Sequence, residues 1–379
     1  MRSIGIEEEF LLVSPDGTPR AVAAAVLQHA SARTPEPGND AAPGGELEKE
    51  FTQEQVETST HPCTDLDALL TEVRSGRARA DASAQHAGAR VAALGTAPQR
   101  VEATVIANHR ARQIRTEFGQ VARDQLTCGC HVHVEVQDDD EGVVILDHLR
   151  RWSPVLLALS ANSPYYQGED TSYASFRSQV WGRWPTAGPT APFGDVATYR
   201  GVVRDLLASG TILDDGMIYF DARLSSRFPT VEVRVTDVCL EAEHAGVLAA
   251  LVRARGETAS RQWRAGAPAP PVGATELRAW SWRASKSGAE AELVDPGTGG
   301  PAPAEVVVAR LLRLLRPVLA DLGEEEPVAT VVAGILRHGS GARRQRAAYA
   351  LHGDVRDVVR AALELTHRPA AGSPAAGAA

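Results

Sequence analysis

The sequence predicts an α+β fold built on an antiparallel sheet, and three observations carry that reading. Segments 3–13 (SIGIEEEFLLV), 126–136 (LTCGCHVHVEV) and 229–238 (PTVEVRVTDV) read as strands by alternation or by β-branched content. They lie far apart in the chain, with helical stretches between them. The helices and strands do not follow the strand–helix–strand rhythm that builds a parallel sheet.

Taken in order, the first strand opens the chain, and Asp65 is placed to cap a long Ala/Arg-rich helix over 66–92. Residues 143–161 predict a buried helix interrupted near Pro154, because proline lacks the amide hydrogen that a helix interior needs. Helical periodicity returns over 242–264, 304–321 and 343–366. The Gly-, Pro- and Ala-rich stretch 265–303 predicts a long connection or flap, and 369–379 (PAAGSPAAGAA) a disordered tail. Residues 1–368 are then expected to form a single domain, with no internal repeat.

The chain has 379 residues and a formal net charge of -9, with basic residues spread along its length, so no nucleic-acid footprint appears. Lysine occurs only at 49 and 286, and neither ends a GxxxxGK[ST] motif, which excludes a P-loop. No run of about 18 apolar residues is present, so no membrane partner is expected. The N-terminus begins on a charged strand rather than a basic and apolar leader, and the four cysteines form no secreted framework. A cytoplasmic protein is expected.

The chemistry concentrates on the strands. Glu7 and Glu9 share one strand face about 6.5 to 7 Å apart, close enough to repel unless a cation lies between them or one is protonated. A solvated acidic face is the plainer alternative. Glu8 falls on the face of Ile4, Ile6 and Phe10, where the sequence offers no reason for it. In CGCHVHVEV, His131, His133 and Glu135 share one face, while Cys128 and Cys130 point to the other. That parity argues against a zinc site of Cys128, Cys130, His131 and His133, whose ligands must converge. Thr230, Glu232, Arg234 and Thr236 share a face of the third strand, either as a surface Arg–Glu pair or as groups for a metal and a phosphoryl oxygen. The acidic run 46–57 carries Glu50 and Glu57 at opposite parity, so a bend or bulge is needed for both to reach one site. Alone, this run would read as a solvated helix or loop.

Together, GIEEEF (5–10), KEFTQEQVE (49–57), CGCHVHV (128–134), ANSPYYQGEDTSYASFRSQVWGRWP (161–185) and TVEVRVTD (230–237) resemble the bacterial type 2 glutamate–cysteine ligases, or carboxylate–amine ligases. The resemblance covers about residues 1–260 and continues more weakly through DPGTG (295–299). It implies a glutamine synthetase-like fold, a curved antiparallel sheet forming a funnel, with ATP and Mg²⁺ as cofactors. It implies Glu7, Glu50 and Glu57 around one Mg²⁺ and Glu9, His131 and Glu232 around another. Arg234 is similar to the residue that stabilises the transferring phosphoryl group, and Arg177 and His133 to substrate contacts. Lys286 is the candidate for an ATP phosphate contact, although its surroundings (WSWRASKSG) depart from the family pattern. Ala97, in GTAP, stands where the family tends to read GTHP.

The implied reaction is amide formation through an acyl phosphate, joining glutamate to cysteine or a related amine, with small-molecule substrates and a homodimeric assembly. Two other classes stay open: a divalent-metal hydrolase, distinguished by indifference to ATP, and a nucleotide-binding protein without turnover.

Overall fold

Alternation along IGIEEEFLLV makes one strand, β1 (Ile4–Val13), with an apolar and a polar side, and in a computed structural model of the chain it becomes the spine of a seven-stranded antiparallel sheet. The structure describes residues 1–32 and 44–369. The expected tail, apart from Pro369, lies outside the described residues. After β1 come α1 (Ala23–Ala32), the hairpin strands β2 (Glu46–Lys49) and β3 (Gln55–Ser59), α2 (Leu66–His86), β4 (Arg90–Ala92), α3 (His109–Phe118), α4 (Gln120–Arg123) and β5 (Cys130–Glu135). The middle of the chain holds α5 (Asp139–Leu149), α6 (Ser153–Ser160), the short pair β6 (Tyr165–Tyr166) and β7 (Glu169–Asp170), α7 (Arg177–Trp181), α8 (Val196–Ala208), β8 (Ala222–Leu224) and β9 (Thr230–Val233). The last third is α9 (Ala242–Arg264), α10 (Ala274–Ser287), the hairpin β10 (Glu292–Val294) and β11 (Pro301–Pro303), then α11 (Ala304–Asp321), α12 (Glu325–His338), α13 (Gly341–His352) and α14 (Val355–Thr366).

The sheet order is β2-β3-β1-β5-β9-β8, with β4 also pairing β1. Ile4, Ile6, Val132, Val134, Val231 and Val233 face one way and are buried in one apolar cluster with Leu248, Ala249 and Val252 of α9. Each such aliphatic side chain contributes roughly 1.5–3 kcal/mol when fully buried. This packed face fixes the sheet register, because a one-residue slip would turn every apolar side chain outward. It also explains Glu8, for Arg77 of α2 reaches it with Nε and Nη2 at 2.9 and 2.6 Å and donates onward to the carbonyls of Cys239 and Leu240 at 2.7 and 2.8 Å.

Several expectations are corrected. The helix over 66–92 begins where Asp65 accepts from the Ala68 amide at 2.8 Å, but it stops at His86. Gly88, at φ +68°, turns the chain out, and the apolar Val91 and Ala92 pair with β1 instead. The break in 143–161 falls at a 3₁₀ turn, Arg150–Trp152, and Pro154 sits in the first turn of α6, where its missing donor costs nothing. The stretch 265–303 is not a long structureless flap. Its Gly/Pro-rich ends frame α10, which packs on α6 through its one apolar stripe, followed by the β10/β11 hairpin. Residues 343–366 form two helices divided at Gly353, at φ +71°. Among the described residues no helix is long and apolar enough to cross a membrane.

Candidate active site

The other face of the sheet is acidic and lines a cleft of about 670 Å³. Strand register assembles it. Glu9 of β1 lies opposite Glu57 of β3, Glu7 of β1 opposite His131 of β5, and His133 of β5 opposite Glu232 of β9. Opposed residues on one face hold their Cβ atoms roughly 4.5–5.5 Å apart, so three strand pairs suffice to gather six side chains. Glu50 arrives by another route. The chain reverses between β2 and β3, placing Glu50 just past the end of β2, so a hairpin turn, rather than a bulge, brings Glu50 and Glu57 to one cleft. The Phe51 amide donates to Glu50 Oε2 at 3.0 Å and fixes the side chain.

The contacts are close. His131 Nδ1 lies 3.4 Å from Glu7 Oε2, His133 Nε2 3.2 Å from Glu7 Oε1, and His131 Nε2 3.7 Å from Glu9 Oε1. The Gly129 amide donates to Glu9 Oε2 at 2.6 Å, and His133 Nδ1 is held by the Thr230 hydroxyl at 2.9 Å. Glu7, His131 and Glu232 each offer one ligand atom within 4.8 Å of the others, and so do Glu9, Glu57 and His131. Glu7 and Glu9 thus fall into triads other than the pair of ligand sets the resemblance implies, with His131 common to both. Neither triad contains a thiol. Cys128 and Cys130 are wholly buried among apolar residues, and burial pushes both thiols up, so they stay protonated.

The electrostatics divide the cleft in two. Burial raises Glu50 to about 7, with the neighbouring Glu9 adding to the effect, and raises Glu57 well above the usual range, with Glu50, Glu7 and Glu9 adding repulsion. On the other side, burial would raise Glu7, but hydrogen bonds from His131 and His133 pull it well below the usual range. Burial would also raise Glu232, but Arg234 and Arg223 hold it down at about 2. Burial, with Arg234 alongside, lowers His131, which favours a neutral imidazole with a lone pair to give.

Arg223 is a residue that the sequence reading missed. Its Nε donates to Glu232 Oε2 at 2.7 Å, and Arg234 Nη1 donates to Glu232 Oε1. Its only signal is its place opposite Glu232 on β8, three residues too short to read as a strand.

A model of glutamate-cysteine ligase family 2 matches residues 3–361. The chain belongs to that family. A family relative from Streptomyces coelicolor, named "Putative glutamate--cysteine ligase 2", is 48% identical over 367 residues, covering 97% of this chain and 99% of its own. Another from Paenarthrobacter aurescens, named "Putative glutamate--cysteine ligase 2-1", is 47% identical over 368 residues, covering 97% and 95%. Among solved structures, the glutamate–cysteine ligase of Francisella tularensis in complex with AMP superposes with a TM-score of 0.66 at 13% identity, over 97% of this chain and 89% of that one. A bifunctional glutathione synthetase from Pasteurella multocida gives 0.63 at 15% identity, over 97% and 51%. These likenesses show the fold, the glutamine synthetase-like arrangement of a curved antiparallel sheet packed with helices.

Two family-expected residues stand apart from the cleft. Arg177 is buried behind it, with Nη2 donating to the Arg234 carbonyl at 3.4 Å and Nη1 3.9 Å from Asp237 Oδ1. Gly129 makes room for it, since a Cβ there would lie 2.3 Å from Arg177 Nη2. Lys286 is not brought to the cleft. It donates from Nζ to the Ser172 carbonyl at 2.7 Å and lies 4.5 Å from the centroid of the Tyr173 ring, held by the C-terminal end of α10. Ala97 is buried in an apolar cluster with Leu94.

Proposed function

We propose that this chain is an ATP- and Mg²⁺-dependent carboxylate–amine ligase that forms an amide through an acyl phosphate, with an amino-acid carboxylate and an amine as substrates. The observation that carries the reading is the convergence of Glu7, Glu9, Glu50, Glu57, Glu232 and His131 on one cleft, faced by two arginines. The residues fit a divalent cation on their own chemistry. Glu50 and Glu57 are held against their ordinary ionisation by burial and by neighbouring carboxylates, Glu9 for Glu50 and Glu50, Glu7 and Glu9 for Glu57, and His131 Nε2 is buried with no hydrogen-bond partner among the described residues. A hard cation with oxygen ligands relieves both conditions. Family membership and the AMP-bound fold relative support a nucleotide at the cleft.

Bound Mg²⁺ would supply neutralisation of the nucleotide's phosphate charge; in the proposed reaction a substrate carboxylate would take the γ-phosphoryl group with ADP leaving, and an amine would then displace phosphate from the acyl phosphate. The six side chains would hold the metal. Arg234 sits at the edge of the carboxylate cluster, buried and kept charged by Glu232 and Glu9 against the effect of burial, and the donors of its planar fork other than the Nη1 bonded to Glu232 would serve equatorial phosphoryl oxygens. Arg223 and the short reach of Glu232 fix where that fork points. Burial of the cleft floor removes water that would screen these charges. His133, clamped by Thr230, and Arg177, behind Arg234, are proposed to contact substrate, within one catalytic unit over 1–368.

The test is a phosphate-release screen of purified protein with ATP, Mg²⁺ and a matrix of amino acids and amines, beginning with L-glutamate and L-cysteine. Release that requires nucleotide, metal, carboxylate and amine together is expected. Full activity in excess chelator would falsify the metal reading. Hydrolysis of a substrate without ATP would replace the ligase with a metal hydrolase.

A further inference from the structure

Among the described residues the largest wholly buried side chains are arginines, and three of the four bring a carboxylate with them. Arg77 pairs with Glu8, Arg177 with Asp237 and Arg253 with Glu324. Arg255 of α9, 2% exposed, has no acid partner among the described residues. Its Nη2 donates to the His148 carbonyl at the C-terminal end of α5 at 2.6 Å, while its Nε and Nη1 are buried and bonded to nothing. In a chain of net charge -9, a buried cation without an acid is the exception.

The unpaired groups continue along the neighbouring turn. His148 Nδ1, Arg151 Nε and Trp152 Nε1 are also buried without a partner, and Arg151 Cζ lies 5.7 Å from the centroid of the Trp152 ring. The positive charges act on one another: burial, with Arg151 alongside, lowers Arg255 to about 9, and burial, with Arg255 and Arg151 alongside, lowers His148 to about 4. The nearest acid in sequence, Asp147, turns away and accepts from the Phe193 and Gly194 amides at 2.8 and 2.7 Å. Two plainer explanations fall short. The carbonyl end of α5 offers about half a charge and meets a single donor of Arg255. An ordered water would satisfy a hydrogen bond but bring no charge.

We propose that α9 and the 148–152 turn hold a small tetrahedral oxyanion of the phosphate or sulfate class, bonded by Arg255 Nε and Nη1 on its inner side and by Arg151 and Trp152 on its outer side. Neither arginine lines the acidic cleft, so the site is separate from the chemistry proposed there. The donors are closed off from solvent, and entry therefore requires the outer wall to move. Arg151, half-buried and without a hydrogen bond or ion pair among the described residues, is the side chain free to swing. Once bound, the oxyanion ties the end of α5 to α9, the helix that backs the sheet.

The test uses the full chain, dialysed free of phosphate and sulfate and kept in excess chelator. Sodium phosphate, sodium sulfate and sodium chloride are titrated at matched ionic strength by calorimetry and by scanning fluorimetry. Phosphate or sulfate is expected to bind one to one and to raise Tm by roughly 2 °C at about ten times its Kd, with chloride doing little. The tighter of the two oxyanions names the occupant. Arg255→Met should lose the response to both and, in anion-free buffer, melt higher than the wild type, because an apolar side chain replaces an unpaired buried charge. Arg151→Met, at a half-buried position, should weaken binding about tenfold or more, and it decides the matter if Arg255→Met does not fold. A wild-type protein that binds neither oxyanion, or responds equally to chloride, overturns the proposal, and a lower anion-free Tm for Arg255→Met then makes Arg255 a cap of α5. An oxyanion response retained in folded Arg255→Met, or undiminished in Arg151→Met, overturns it as well.

Discussion

Three successive glutamates on β1 meet opposite treatment. Glu8 is 1% exposed and enclosed by the forked guanidinium of Arg77, whose remaining donors go to backbone carbonyls. Glu7 and Glu9, one residue to either side, open instead on a cleft where Glu50, Glu57 and Glu232 crowd them, and where Arg234 and Arg223 bond to Glu232 rather than to them. The residue type and the strand are the same; the difference is whether the protein carries the counter-charge itself. A carboxylate with its own internal partner is part of the scaffold. A group of carboxylates left short of partners is a site that expects its counter-charge from outside.

That contrast can be broken by experiment. Glu8→Gln strands the Arg77 charge in the core and should cost about 3–5 kcal/mol, read as a fall in the urea midpoint. The pair Glu8→Leu with Arg77→Met should recover most of it, because a well-packed apolar pair replaces both charges. A loss under about 1 kcal/mol for Glu8→Gln would refute the scaffold role. Next in size, Arg234→Lys keeps the charge and removes the planar fork. It is expected to lower kcat about 100-fold, near 3 kcal/mol, with the KM for ATP little changed. A raised KM at unchanged kcat would make Arg234 a binding residue.

Glu57→Gln should act in the opposite sense to Glu8→Gln. In excess chelator it removes a repelling, half-buried acid and is expected to stabilise the protein by roughly 1 kcal/mol, while abolishing the rise in Tm on adding Mg²⁺. Destabilisation in chelator would mean that Glu57 has a partner of its own. The smallest effects are pH slopes of opposite sign. Glu141, held by Arg2 and Ser260 at about 2 although burial alone would raise it, contributes stability that is present above the unfolded value of 4.5 and lost as pH falls toward 2. Glu50, raised to about 7, contributes stability that is present below 4.5 and lost as pH rises through 7, so the Tm gain from Mg²⁺ should be larger at pH 8 than at pH 6. Differential scanning fluorimetry across that range, with Glu141→Gln and Glu50→Gln flattening the acid and alkaline limbs respectively, checks both signs.

What the sequence made legible follows from its physics. Period-two alternation on 3–13, 126–136 and 229–238 placed Glu7, Glu9, His131, His133, Glu232 and Arg234 on polar faces, because alternation is a property of a single strand. The meeting of Glu50 with Glu57 was hidden, since it depends on a reversal between two strands of four and five residues, too short for any period to emerge. Arg223 was hidden for the same reason. α10 was masked by the glycine- and proline-rich segments at either end, although Leu277 and Ala284 mark its buried stripe. Glu8 could not be understood from β1 alone, because its partner lies 69 residues away on α2.

The strand order carries a consequence for how this protein comes to fold. β1 is made first and β9 more than two hundred residues later, and the cleft needs β3, β1, β5 and β9 side by side in register. Contacts so distant in sequence form late, because loop closure must precede any gain from pairing. Under the proposed function, metal binding would therefore report completed topology. In a refolding time course, helical signal should recover first, and tight Mg²⁺ binding should appear only with the final β5–β9 pairing, so that the cation captures the native register from the ensemble rather than nucleating it.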